Sequence, residues 1–124
     1  MNIRKIPTIL IVEDDVENRA AMVKVLEGAG YKTLETDNGQ QALDILKNGG
    51  VDIMLLDLMM PELDGFQVLQ QIQQMQITPQ PIVFVLSNLS QREDEERVLA
   101  LGAKKFFIKS DTSLSTIVEE VKTA

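Results

Sequence analysis

Five short apolar segments alternate with segments of helical periodicity, and this alternation constrains the fold more than any other feature of the chain. The predicted strands are Thr8–Val12, Tyr31–Thr36, Asp52–Leu56, Ile82–Leu86 and Lys104–Ile108. Helical spacing begins near Val16, Gly39, Gly65, Gln91 and Ser113. Since parallel strands need helical crossovers that cover both faces of a sheet, we predict a three-layer α/β fold around a five-stranded parallel sheet.

Composition limits the chemistry that the chain can perform. It has no Cys and no His, which excludes disulfides, thiolate zinc sites and a histidine base. The net charge of -7 over 124 residues argues against binding to nucleic acid or to an acidic membrane surface. No apolar run approaches the roughly 20 residues of a bilayer span. We therefore expect a cytoplasmic protein with one domain, residues 1–124, whose partner is a protein, a cation or both.

Polar side chains follow four of the predicted strands. Glu13 and Asp14 come after the first strand, Asp57 after the third, Ser87 after the fourth and Lys109 after the fifth. In an open parallel sheet the functional crevice lies beyond the carboxyl ends of the strands. The pattern therefore predicts that these five residues meet at one edge of the sheet.

Each of these residues also has a purely structural interpretation. Asp15 and its acidic neighbours suit the cap of the first helix, Ser87 can bond its own backbone, and Lys109 can pair with Asp57. Two carboxylates about 4 Å apart repel by roughly 4 kcal/mol at intermediate dielectric, so a cluster of three needs a cation. Hard oxygen donors favour Mg²⁺, and the combination of cation, hydroxyl and ammonium suits phosphoryl transfer to Asp57.

Four motifs extend this pattern over almost the whole chain. They are Ile9–Asp14, Asn38–Leu43, Leu55–Gly65 and Gly102–Lys109. In order and spacing the sequence resembles the receiver domain of response regulators in two-component signalling. The resemblance implies a flavodoxin-like sheet with the strand order 2-1-3-4-5.

The resemblance also implies roles for particular residues. Asp57 would accept a phosphoryl group from the phosphohistidine of a histidine kinase or a His-containing phosphotransfer protein. Mg²⁺ would be held by Glu13, Asp14, Asp57 and the backbone carbonyl of Met59. Such a domain is a signalling module that assists its own phosphorylation and dephosphorylation, and we do not expect an enzyme.

Further implied roles concern the response to phosphorylation. Ser87 and Lys109 would contact the phosphoryl group, and Phe106 would change rotamer. Output would then pass through the surface of the fourth helix, fifth strand and fifth helix to a downstream protein or output domain, and this surface could form a phosphorylation-dependent dimer. Both a stand-alone receiver and one within a longer regulator or hybrid kinase fit the sequence.

The chain departs from the family pattern around the site. Ser110 follows Lys109 where most relatives have a cis proline, so this loop is either strained or trans and differently shaped. Asn88, at a position that is usually small, could narrow the entrance for the donor. Met59 and Leu89 are bulky and cannot orient water, which predicts slow self-dephosphorylation of the aspartyl phosphate.

Three other functions share features with the receiver pattern. An interaction module with the same fold but no phosphorylation stays open because of Ser110. A haloacid dehalogenase phosphatase would have a second aspartate where this chain has Met59. A flavodoxin fits poorly because the acidic residues after the first strand would repel the phosphate of the flavin.

Overall fold

Five strands and five α-helices alternate along the chain in the computed structural model, which describes residues 6–89 and 91–124. The strands are β1 (Thr8–Val12), β2 (Lys32–Thr36), β3 (Ile53–Asp57), β4 (Ile82–Ser87) and β5 (Lys105–Ile108). The helices are α1 (Val16–Gly28), α2 (Gly39–Lys47), α3 (Gly65–Gln74), α4 (Arg92–Ala100) and α5 (Leu114–Lys122). A single 3-10 turn, Lys109–Asp111, joins β5 to α5.

The strands form one parallel sheet in the order β2-β1-β3-β4-β5, which confirms the predicted fold and strand order. Asp57 on β3 lies opposite Leu86 on β4, and Ser87 lies opposite Ile108 on β5. Because all strands run in the same direction, their carboxyl ends meet at one edge of the sheet. We call this edge the carboxyl rim.

Alternate residues of β1 supply the two faces of the sheet. Leu10 and Val12 pack on the side of α2, α3 and α4, whereas Ile9 and Ile11 pack on the side of α1 and α5. This alternation is the expected period of two for a strand covered on both faces. All five residues of β3 are buried, so the segment predicted to be central is central. By contrast β2 lies at the sheet edge and is mostly exposed.

Side-chain caps define where most of the helices begin. Asp15 accepts a hydrogen bond from the Asn18 N–H at the start of α1, which confirms its predicted capping role. Asp64 and Gln67 form a reciprocal capping box at the start of α3.

None of the helices in the described part of the chain combines the length and the hydropathy that a bilayer span needs.

Helix α4 is held by few contacts, and one of them differs from expectation. A spacing of four residues predicts the pairs Arg92/Glu96 and Glu93/Arg97, and the first pair forms at 3.3 Å. Arg97 instead lies over the ring of Phe66 on α3, with 4.0 Å between the guanidinium carbon and the ring centroid. Val98 is the residue of α4 that is buried.

The amphipathic pattern of α5 is confirmed for most of its length. Ile117 and Val121 are buried against α1 and the sheet, and Val118 is partly buried there. Leu114, predicted on the same face, is 40% exposed because it lies in the first turn, where α5 is only beginning to pack. Leu114 nevertheless lines the same cavity as Ile117 and Met22, so it lies on the predicted face but is less buried.

Candidate functional site

Three acidic side chains converge on the carboxyl rim. Glu13 and Asp14 follow β1, and Asp57 is the last residue of β3. One carboxylate oxygen from each lies within 4.8 Å of the other two. Glu13 is fully buried, Asp57 is 5% exposed and Asp14 is exposed. The structure thus brings together the three carboxylates that the strand pattern placed at one edge.

Lys109 enters this cluster from the end of β5. Its ammonium lies 3.3 Å from Oδ2 of Asp57 and also donates to Oε1 of Glu13. The pair with Asp57 was anticipated from the sequence, whereas the contact with Glu13 was not. One ammonium therefore bridges two buried carboxylates, one from the loop after β1 and one from the end of β3.

The backbone after Lys109 shows whether the peptide bond to Ser110 is cis or trans. Cis peptide bonds in residues 6–89 and 91–124 are confined to Thr78-Pro79, so the Lys109-Ser110 bond is trans. The chain then turns through the 3-10 segment, where the Thr112 hydroxyl donates to the Ile108 carbonyl at 2.8 Å. The Lys109-Ser110 peptide bond therefore agrees with the trans alternative and not with a strained cis bond.

Burial and mutual repulsion govern the protonation of the cluster without a metal. Burial, together with the nearby Glu13 carboxylate, raises the pKa of Asp57 to about 7, and the Lys109 ammonium offsets only part of this increase. Burial also acts to raise the pKa of Glu13, but its contacts with Lys109 and Asp57 hold that pKa below the usual value. The negative charge of the pair therefore resides mainly on Glu13, and Asp57 retains a proton up to near neutral pH.

The donor set fits a hard divalent cation. Three carboxylate oxygens approach one another, and Lys109 supplies a single positive charge, so the cluster lacks positive charge once all three are ionised. Mg²⁺ uses one or two carboxylates and keeps several waters, which suits a cluster with one exposed member, Asp14. The Met59 N–H donates to Oδ1 of Asp57 at 3.2 Å, which places this residue beside the cluster. That the Met59 carbonyl binds metal stays a prediction.

Ser87 is fully buried one residue beyond the strand partner of Asp57. Its hydroxyl oxygen accepts a hydrogen bond from the Leu89 N–H at 3.1 Å. This local bond is the structural alternative expected from the sequence. It leaves the hydroxyl hydrogen free to donate to a group that approaches the rim.

The remaining predicted residues surround the cluster at different depths. Met59 is 58% exposed and Asn88 is exposed, so both face solvent beside the rim. Leu89 and Phe106 are partly buried and pack against the core on the side of α2, α3 and α4. The access role of Met59, Asn88 and Leu89 and the rotamer change of Phe106 stay predictions.

Sequence reasoning missed two residues that shape the rim. Nη1 of Arg19 donates to the Glu13 carbonyl at 2.9 Å, and its position one helical turn after the Asp15 cap was the available signal. A Cβ on Gly65 would lie 2.7 Å from both the Asp57 carbonyl oxygen and the Leu58 Cα. Glycine at position 65 is thus required by close backbone packing behind Asp57, which a turn signal alone does not reveal.

Comparison with known proteins agrees with this geometry. A sequence model of the response regulator receiver domain family matches residues 9–122. The receiver domain of a signal transduction histidine kinase from Syntrophus aciditrophicus superposes with a TM-score of 0.84 at 30% identity, covering 94% of this chain and 88% of that one. Chemotaxis protein CheY4 of Vibrio cholerae shares the fold, with a TM-score of 0.85 at 22% identity over 96% of this chain and 98% of that one. The chain belongs to the response regulator receiver domain family.

Sequence relatives differ widely in length. The polar-differentiation response regulator DivK of Brucella anthropi is 28% identical over 115 residues, which are 93% of each chain. A cyclic di-GMP phosphodiesterase of Thermotoga maritima is 34% identical over 82% of this chain, but the match spans only 27% of that protein. The match to a gliding motility regulatory protein of Myxococcus xanthus spans 14% of it. Family membership confirms the predicted class, a response regulator receiver of two-component phosphorelay signalling.

Proposed function

We propose that this chain is a Mg²⁺-dependent phosphoacceptor domain in which Asp57 takes a phosphoryl group from the phosphohistidine of a histidine kinase or a His-containing phosphotransfer protein. The observation that supports this most directly is the meeting of three carboxylates within 4.8 Å, with the Lys109 ammonium 3.3 Å from Asp57. The family match to residues 9–122 supports the same class of reaction. We place the domain in the cytoplasm, where histidine kinases present their phosphohistidine.

In the proposed transfer a carboxylate oxygen of Asp57 attacks the phosphorus of the donor. A P–O bond forms to Asp57 while the P–N bond to the imidazole breaks, and the imidazole keeps the electron pair and takes up a proton. Bound Mg²⁺ would offset the negative charge shared by the carboxylates and the phosphoryl oxygens. Glu13, Asp14, Asp57 and the Met59 carbonyl are the proposed ligands.

Lys109 and Ser87 are proposed to stabilise the transferred group. The Lys109 ammonium already forms an ion pair with Asp57, so a small movement allows it to contact a phosphoryl oxygen. The bond from the Leu89 N–H uses only the oxygen of the Ser87 hydroxyl, so we propose that its hydrogen donates to a phosphoryl oxygen. Movement of Ser87 toward the phosphoryl group would in turn alter the packing of Phe106, which lies on the adjacent strand β5.

Output is proposed to pass through the α4-β5-α5 surface. Val98 is the buried residue of α4, so the helix can shift with little loss of apolar contact. Phe106 is partly buried and has no hydroxyl, so an inward rotamer leaves no polar group unsatisfied. We propose that a downstream protein, an output domain or a second phosphorylated copy binds this surface.

Intact mass after incubation with acetyl phosphate tests the proposal. We expect addition of one phosphoryl group that requires Mg²⁺, maps to Asp57 and is absent in Asp57→Asn. Asp44→Asn is a matched control because Asp44 is an exposed carboxylate on α2. If the wild-type mass is unchanged with several donors and Mg²⁺, the phosphoacceptor role is wrong and the interaction module becomes the better interpretation.

A further inference from the structure

Arg19 connects the backbone of the acidic loop to β2. Its Nη1 donates to the Glu13 carbonyl at 2.9 Å, and its Nε donates to Oε1 of Glu35 at 3.1 Å. The side chain is 18% exposed, and its planar fork can hold two acceptors at once. The guanidinium thus bridges α1, the loop after β1 and the end of β2.

This bridge completes the restraint of the Glu13 backbone. The Glu13 N–H donates to the Thr36 carbonyl at 3.1 Å, while the Glu13 carbonyl accepts from Arg19. The carbonyl belongs to the peptide unit that joins Glu13 to Asp14. Fixing that peptide plane fixes the positions of the Asp14 N and Cα, from which the side chain departs, and leaves rotation about the N–Cα bond as the remaining backbone freedom on that side.

Asp14 depends on this restraint more than the other two carboxylates. Glu13 and Asp57 are both held by Lys109, whereas the exposed Asp14 carboxylate has no salt bridge within residues 6–89 and 91–124. Its oxygen nevertheless lies within 4.8 Å of the others. The backbone is what brings Asp14 to the cluster.

We propose that Arg19 is a positioning residue for cation binding: it orients the Glu13-Asp14 peptide so that Asp14 completes the metal site, with Glu35 as its second anchor. This inference rests on the proposed function of the rim. Arg19 acts through the peptide and touches neither the cation nor the phosphoryl group. Outer-shell partners typically contribute about 10- to 100-fold to metal affinity, and we expect about tenfold weaker Mg²⁺ binding in Arg19→Gln.

The direction in which Mg²⁺ affinity changes in Arg19→Gln distinguishes a positioning role from a purely electrostatic effect. Loss of a positive charge near three carboxylates strengthens the binding of a divalent cation, because a Coulomb repulsion is removed. Loss of the peptide restraint weakens binding, because Asp14 is no longer held toward the other ligands. Weaker binding in Arg19→Gln therefore cannot come from charge alone.

Isothermal titration of the full chain with MgCl₂, at fixed ionic strength, measures the effect directly. We compare wild type with Arg19→Gln, Arg19→Lys, Glu35→Gln and Arg92→Gln. Lysine keeps the charge but not the fork, so Arg19→Lys also binds Mg²⁺ more weakly. Glu35→Gln keeps an acceptor for Nε and loses little affinity. Arg92→Gln changes the net charge equally at the surface of α4 and leaves the Kd unchanged.

The possible outcomes distinguish this inference from the proposed function. Mg²⁺ binding as tight as wild type or tighter in Arg19→Gln would overturn the role of Arg19. A wild-type chain that does not bind Mg²⁺ would instead overturn the metal site itself. Urea unfolding without Mg²⁺ reports whether each variant is folded. If Arg19→Gln is unfolded, Arg19→Lys decides the question, and an unchanged Kd in that variant contradicts positioning.

Discussion

The Lys109 ammonium contacts the Glu13 carboxylate, although 96 positions separate the two residues in the sequence. Glu13 is fully buried, and Lys109 is mostly enclosed, with 19% of its side chain exposed. Lys109 also lies 3.3 Å from Asp57. The contact thus ties the loop after β1 to the end of β5 across the ends of β3 and β4.

Removing the Lys109 ammonium is expected to destabilise the metal-free domain. In Lys109→Met the buried Glu13 carboxylate loses its cation, and breaking one side of such a pair lowers the free energy of unfolding by about 3 kcal/mol. Urea unfolding at pH 8 without Mg²⁺ measures the change. Lys105→Met is the control, because its pair with Glu120 is more exposed and is worth less than about 1 kcal/mol. Equal losses in the two variants would contradict a special role for the buried pair.

The stability of the metal-free domain is expected to fall as the pH rises from 5 to 8. Burial raises the pKa of Asp57 from its ordinary 3.8 to about 7, so protonated Asp57 stabilises the fold at low pH and this stabilisation is lost as the pH rises through about 7. The lowered pKa of Glu13 has the opposite effect, so that stability falls as the pH falls, but only below about its ordinary pKa of 4.5. Urea midpoints across this range give the profile.

Two comparisons identify Asp57 as the group responsible for this profile. Asp57→Asn should be nearly insensitive to pH between 5 and 8, because the titrating carboxyl is gone. Saturating Mg²⁺ should reverse the slope in the wild type, because a bound cation favours the ionised carboxylate. A wild-type midpoint that is flat or rises with pH in the absence of metal would show that Asp57 is already ionised near pH 5.

The apolar side chain of Met59 predicts slow loss of the phosphoryl group. Met59 is 58% exposed beside Asp57, and its side chain has no hydroxyl, amide or charged group that could orient an attacking water. We expect the phosphorylated species to persist well beyond seconds after the donor is removed, and Met59→Gln to shorten its lifetime severalfold. Met59→Leu controls for size and should behave like wild type. Intact mass against time measures the decay, and loss within seconds in the wild type would refute the prediction.

Close packing of Gly65 predicts strong sensitivity to a single methyl group. In Gly65→Ala the new Cβ would lie 2.7 Å from the Asp57 carbonyl oxygen, so the loop between β3 and α3 must shift. We expect a loss of about 1 to 3 kcal/mol in unfolding free energy, together with weaker Mg²⁺ binding. Gly28→Ala is a matched control, because no atom lies within 4 Å of its added Cβ. Thermal unfolding measures the Tm of both variants. Equal Tm values would contradict the packing argument.

The Arg97 side chain is expected to slow the opening of α4. Its guanidinium carbon lies 4.0 Å from the Phe66 ring centroid, and such a contact contributes about 0.5 to 1 kcal/mol at an exposed site. In Arg97→Gln the α4 amides should therefore exchange hydrogen faster, while those of β3 do not change. Arg92→Gln removes only the surface pair with Glu96 and should have a smaller effect on α4. Identical α4 exchange in the two variants would show that the ring contact is immaterial.

Periodic sequence features were enough to predict the layers of the fold and the carboxyl rim. The apolar runs of β1, β3 and β4 and the helical spacing between them determine where the polar strand ends meet. The sequence alone therefore groups Glu13, Asp57 and Lys109. The strand order came from the family resemblance, since periodicity does not specify which strands are neighbours.

Contacts that depend on side-chain reach could not be predicted in the same way. Glu13 has one methylene more than an aspartate, which lets its carboxylate reach Lys109, and the sequence does not show which carboxylate the ammonium prefers. Arg97 has two possible partners at similar reach, and the ring of Phe66 prevails over Glu93. Leu114 fits the apolar period of α5, but the period does not show where neighbouring elements end.

The rim is assembled from the ends of β1, β3, β4 and β5, so no contiguous peptide of this chain contains it. A ligand that binds there joins segments from distant parts of the sequence and binds only the folded state. By mass action the bound ligand then raises the free energy of unfolding of the whole sheet. This increase grows as the ligand concentration rises above the Kd. Ligand occupancy and the melting temperature of this domain are therefore one linked equilibrium, and either quantity can serve to measure the other.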